Sequence, residues 1–79
     1  MSIEFNEFKV LKIKQLNNVY NLNINNLNIY YNNTLNNIKR SRNTNANKNK
    51  LIQQLVNEVN NKSYLLKVQL NNDILKINN

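Results

Sequence analysis

Apolar and polar residues alternate through the first half of the chain, and asparagine pairs interrupt the alternation at short intervals. Tyr20, Leu22 and Ile24 are separated by Asn21 and Asn23, while Leu27, Ile29 and Tyr31 are separated by Asn28 and Tyr30. A period of two sends successive side chains to opposite faces of a strand, with one face buried. The pairs Asn17-Asn18, Asn25-Asn26 and Asn32-Asn33 punctuate these segments. A two-residue type I′ hairpin turn needs positive φ at both positions, and after Gly it is Asn that best tolerates the left-handed region. The pattern predicts a three-stranded antiparallel meander with strands at residues 7–16, 19–24 and 27–31. In the first strand Phe8 and Val10 share one face while Leu11 and Ile13 share the other, which calls for a bulge or for burial on both faces. A rival reading runs a helix across residues 19–38, with Val19, Leu22, Leu27, Tyr30 and Tyr31 on a loose apolar stripe. The weak helix propensity of Asn and of β-branched residues counts against it.

Residues 34–50 form the most polar stretch, with no large apolar side chain after Ile38 until Leu51. It reads as a basic flexible loop at about residues 36–49. Leu51, Ile52, Leu55, Val56 and Val59 then recur at helical spacing and predict a helix over residues 51–60. Asn47 or Asn49 is its candidate N-cap, and Asn60 or Asn61 its left-handed C-terminal residue. Leu66, Val68 and Leu70 alternate again, and residues 73–77 carry Ile74, Leu75 and Ile77. The three residues Asn71-Asn72-Asp73 between them suit a hairpin loop. The expected fold is a single small α+β domain spanning residues 1–79, with a three-stranded meander, a C-terminal hairpin and one packed helix.

Composition changes this picture in two ways. Asparagine fills 23 of the 79 positions, Ala46 is the sole alanine, and Gly, Pro, Cys, His and Trp are all absent. The bias follows AT-rich codons and points to an organellar, protist, bacterial or viral genome of that kind. A chain of this size buries a limited core, and small domains usually gain stability from disulfides, a metal or a partner. The lack of Cys and His removes the usual ligands for the first two, which leaves a partner.

The formal net charge is +7, from 11 Lys and Arg against four scattered acids, Glu4, Glu7, Glu58 and Asp73. Such a field favours a polyanionic partner. Acid–base and nucleophilic catalysis lack a His and a Cys, Ser2, Ser41 and Ser63 have no histidine base, and there is no glycine loop for phosphate. No enzyme activity, cofactor, metal or small-molecule substrate is therefore expected. The candidate nucleic-acid-binding residues are Lys39, Arg40, Ser41 and Arg42, extended by Lys48 and Lys50, with Tyr30 as the best base-stacking aromatic among Tyr20, Tyr30, Tyr31 and Tyr64.

RNA is preferred to DNA, because Gln53, Gln54, Asn57 and Glu58 give the predicted helix a nearly uncharged face that suits a major groove poorly. The composition of the whole chain is similar to that of ribosomal proteins encoded in AT-rich organelle genomes, although no motif accompanies the likeness. It implies a structural protein of a ribosomal or other ribonucleoprotein assembly, bound to ribosomal RNA and neighbouring proteins. The alternative is a protein-interaction or accessory subunit, or a dimeric DNA-binding regulator. No apolar run spans a bilayer, and residues 1–14 carry Glu4 and Glu7 and lack Arg, a poor match to a signal or transit peptide. The expected location is an organellar matrix such as the mitochondrion, or the cytoplasm, and not outside the cell.

Overall fold

Two long α-helices make up the molecule: α1, Ser2–Arg40, and α2, Asn45–Asn78, joined by a four-residue turn. The computed structural model describes residues 2–79; Met1 and the side chains of residues 2–5, Glu4 among them, lie outside what is described. The helices fold back on each other as an antiparallel hairpin, a rod of 65 × 17 × 7 Å. Among the described residues there is no strand. The expected α+β sheet, with its meander and C-terminal hairpin, is therefore overturned. The connection is shorter than the basic loop expected at residues 36–49, because α1 runs through Arg40 and α2 starts at Asn45. The rival helix is present, although it continues far beyond residues 19–38.

The physical reason is visible in the spacing. Ile13, Leu16, Tyr20, Ile24, Leu27, Tyr31, Leu35 and Ile38 are apolar α1 side chains drawn partly out of solvent, and they recur every three or four residues throughout. On α2 the matching row is Ile52, Leu55, Val59, Leu66, Leu70, Ile74 and Ile77, with Ser63 in the gap. Each row is one stripe of an amphipathic helix, and the two stripes make the seam of the hairpin. Leu22 and Ile29 belong to a different stripe of α1. Interleaving Leu22 and Ile29 with Tyr20, Ile24, Leu27 and Tyr31 reproduces a period-two pattern over residues 20–31. The alternation was two superposed helical stripes.

The asparagine pairs are not turns, for no described residue has positive φ. Asn17-Asn18, Asn25-Asn26 and Asn32-Asn33 all lie inside α1, and Asn60-Asn61 and Asn71-Asn72 inside α2. Asn costs a helix roughly 0.7 kcal/mol relative to Ala, which is unfavourable but far short of the ~3 kcal/mol of Pro. With Gly and Pro missing altogether, nothing in the chain breaks a helix by force. The predicted helix at residues 51–60 is real but is the middle of α2, and its N-cap is Thr44 rather than Asn47 or Asn49.

The seam is thin. Only Leu55 and Leu70, at 4% and 7% exposure, are buried among the described hydrophobic residues. Full burial of a Leu contributes about 1.5–3 kcal/mol, so these two anchors carry a large share of the hairpin's stability. Leu55→Ala and Leu70→Ala should each cost about 2 kcal/mol or more. Leu75→Ala, at a position 58% exposed, should be nearly neutral. Thermal melts followed by far-ultraviolet circular dichroism check this, and equal losses for all three variants would contradict the seam.

Candidate nucleic-acid interface

The turn of the hairpin collects the basic residues singled out from the sequence. Lys39 and Arg40 occupy the last turn of α1, Arg42 sits in the connection, and Lys48 and Lys50 lie in the first turns of α2. Between Glu7 and Glu58 the chain contains no acid, and α2 has none in its first turn. The tip of the rod is thus a concentrated positive end. The N-terminal dipole of α2 adds to it, while Lys39 and Arg40 offset the negative pole of α1.

Part of this set is committed to building the turn. Ser41 donates its backbone N–H to the Ile38 carbonyl at 3.1 Å and its hydroxyl to the same oxygen at 2.6 Å. It also accepts from Asn43 Nδ2 at 3.3 Å. Lys48 Nζ reaches back to the Lys39 carbonyl at 2.9 Å. Two of the carbonyls at the end of α1, those of Ile38 and Lys39, are therefore satisfied by Ser41 and by the Lys48 ammonium from across the turn. Thr44 caps α2 by accepting from Asn47 N–H at 3.2 Å, and its own carbonyl accepts from Lys48 N–H at 2.9 Å. Ser41 is thus a structural residue of the turn, and Lys48 serves the turn while adding its charge to the tip. Arg40, Arg42 and Lys50 are exposed. A shallow hollow beside Lys50 is lined by Asn43, Asn47, Leu51 and Gln54.

Tyr30 does not join this cluster. It stands ten residues before Arg40 on α1, about 15 Å along the axis. Its hydroxyl donates to Glu58 Oε1 at 2.8 Å, and Lys62 Nζ lies 5.2 Å from its ring centre. Lys62 also pairs with Glu58 at 3.1 Å, in the favourable order of acid before base at i, i+4. Tyr30 thus cross-links the two helices, away from the basic tip. The bond to the Glu58 carboxylate holds the Tyr30 phenol above its ordinary value, and the Tyr30 hydroxyl, followed by Lys62, holds Glu58 below the usual carboxylate value. Tyr20 is similarly faced by Lys67 Nζ at 5.4 Å. The most exposed aromatic among the described large hydrophobics is Tyr64, at 68%.

Among the described residues no group of three His, Cys, Asp or Glu could hold a metal ion, and no helix is long and apolar enough to cross a membrane. No family model matches the chain, and neither a curated protein nor a solved structure is significantly similar to it.

The Tyr30–Glu58 link has a defined pH response. Glu58 has a depressed folded value, so its contribution is present above the unfolded carboxylate value and is lost as pH falls through the folded one. Tyr30 has a raised folded value, so its contribution is present below the unfolded phenol value and is lost as pH rises through the folded one. Both effects are small because the network faces solvent. The melting temperature of the native chain should fall more steeply than that of Tyr30→Phe on the alkaline side, and more steeply than that of Glu58→Gln on the acid side. Identical pH profiles for the native chain and both variants would show that the link adds nothing.

Proposed function

We propose that the chain is a non-catalytic, RNA-binding structural protein of a ribosomal or other ribonucleoprotein assembly, acting in an organellar matrix or the cytoplasm. The observation that carries the reading is the gathering of five of its 11 cations, Lys39, Arg40, Arg42, Lys48 and Lys50, at one end of a narrow rod with no acid nearby. Phosphate binding needs positive charge held close together, and the turn supplies it on a scaffold of two helix ends. Arg40 and Arg42 offer planar guanidinium forks that suit phosphate oxygens, and Lys50 contributes a point charge beside them. The stem, polar on most of its surface and long for its mass, carries the tip into a crevice or braces neighbouring components. Asparagine side chains along the stem add donors and acceptors for sugar and base edges.

RNA is the favoured polyanion because neither helix presents a basic face to a DNA major groove. On α2 the residues Gln53, Asn57, Gln69 and Asp73 satisfy one another, with Gln53 Nε2 donating to Asn57 Oδ1 at 3.2 Å and Gln69 Nε2 to Asp73 Oδ1 at 3.0 Å. The five cations at the end of the rod are the group that no acid offsets, so contact is with a local cluster of phosphates.

Binding of the native chain to a fluorescent single-stranded polyuridylate, followed by anisotropy across a salt series, tests the proposal. Each phosphate engaged contributes a slope of about −0.7 in log affinity against log salt for a single strand, so three to four contacts give roughly −2 to −3. Arg40→Glu with Arg42→Glu should weaken binding by about tenfold or more and flatten the slope by roughly 1.4. Lys67→Glu, on the stem, should change affinity far less. Native binding that is undetectable, or unchanged by the double reversal, refutes the reading.

A further inference from the structure

We infer that a second copy of this chain docks on the outer face of α1, parallel and in register. Phe8, Leu11, Val19, Leu22 and Ile29 fall on one stripe of α1, turned away from the seam with α2. Each of the five leaves between 55% and 59% of its surface in solvent. At on the order of 100 Å² per large side chain, that is about 500 Å² of apolar surface per copy, close to the apolar share of a standard interface of ~800 Å² per partner. The largest apolar patch on a monomer is often of this order, and often functional. Among the described residues only Leu55 and Leu70 are buried hydrophobics, so the hairpin leaves this face uncovered.

Two observations select a second copy and its direction. Residues 15–38 contain no charged side chain, and depletion of charge marks the centre of an interface. At the N-terminal end of the stripe, Glu7 and Lys12 are exposed and stand on opposite shoulders of the Phe8–Leu11 pair. In a parallel, in-register pair of helices these are the positions that face each other between chains, so Glu7 of each copy meets Lys12 of the other. Phe8, Leu11, Leu22 and Ile29 each then meet their own counterpart, while Val19, one heptad after Lys12, lies on the Lys12 shoulder. An antiparallel pairing centred on the uncharged span would instead set Lys14 against Lys39, placing like charges together.

The test uses the full-length native chain, without nucleic acid, in sedimentation equilibrium at about 1–100 µM. The expected species has twice the 9.4 kDa chain mass. Leu22→Glu with Ile29→Glu should yield a monomer that keeps its helical circular dichroism, since both positions are exposed. If that variant loses its helices, Glu7→Lys serves instead. It should weaken the dimer by roughly tenfold, and adding Lys12→Glu should restore it.

The chain has no cysteine, so Gln15→Cys reports direction alone. Parallel copies cross-link at that site under oxidation, whereas antiparallel copies hold it far apart. A native chain that is monomeric throughout, a dimer indifferent to charge and apolar substitutions, or a failure of Gln15→Cys to cross-link each overturns the inference. None of these outcomes bears on RNA binding by the tip, which is measured separately.

Discussion

The contact between α1 and α2 is the interaction on which the rest of the molecule depends. Twelve of the 39 residues of α1 are asparagine, a residue that lowers intrinsic helicity wherever it stands. No isolated helix of that composition would be stable in water, because nucleation is costly and propagation is weak. The helix persists because its stripe of Ile, Leu and Tyr is set against the stripe of α2, with Leu55 and Leu70 as the most deeply buried points. Local structure in this chain is therefore a product of tertiary packing.

The turn shows the same economy. An end-to-end hairpin must satisfy the last carbonyls of one helix and the first N–H groups of the next within four connecting residues. Thr44 meets the second need in the ordinary way. The first is met without glycine, by the Ser41 hydroxyl on the Ile38 carbonyl and by Lys48 on the Lys39 carbonyl. Because Lys48 is drawn inward, positive charge is brought to the end of α1 as a condition of closing the turn. Arg40, Arg42 and Lys50 then stand beside it on exposed ground. The basic tip is thus partly a by-product of capping, and what capping does not explain is the presence of the remaining cations without a balancing acid.

The apolar residues were legible in the sequence, as was the basic cluster, because both follow from residue type. The period was not. Tyr20, Leu22 and Ile24 look like a strand when read alone, and only the continuation to Leu27, Tyr31 and Ile38 on one stripe and Ile29 on the other separates two helical patterns from one alternating pattern. The absence of Gly and Pro was the countervailing signal, since a chain lacking both cannot mark a turn by ordinary means and Asn was made to stand in for them. The helix around Leu55 was readable because its second stripe is empty of apolar residues between Leu51 and Val59. Tyr30 was misplaced for a different reason: its partner Glu58 is 28 positions away, and nothing short of the hairpin's register brings the two together. Ser41 was read only as a nucleic-acid contact because its capping role appears only once α1 is known to end beside it.

The charge distribution ties the tip to the outer stripe of α1. Rod ends 65 Å apart are electrostatically independent at physiological salt, where fields decay over about 8 Å. Side-by-side parallel copies bring like ends together, with Glu7 and Lys12 meeting at one and the tips at the other. There, two basic tips come within reach of each other, and their repulsion opposes the apolar contact along the stem. A polyanion laid across both tips turns that repulsion into attraction, and it meets two linked clusters instead of one, which raises its effective affinity without any new contact. The uncharged span between the tip and the Glu7–Lys12 end keeps the apolar contact clear of this conflict. The separation of charge from apolar surface along α1 is therefore what would allow one helix to serve a partner on its flank and a phosphate backbone at its end.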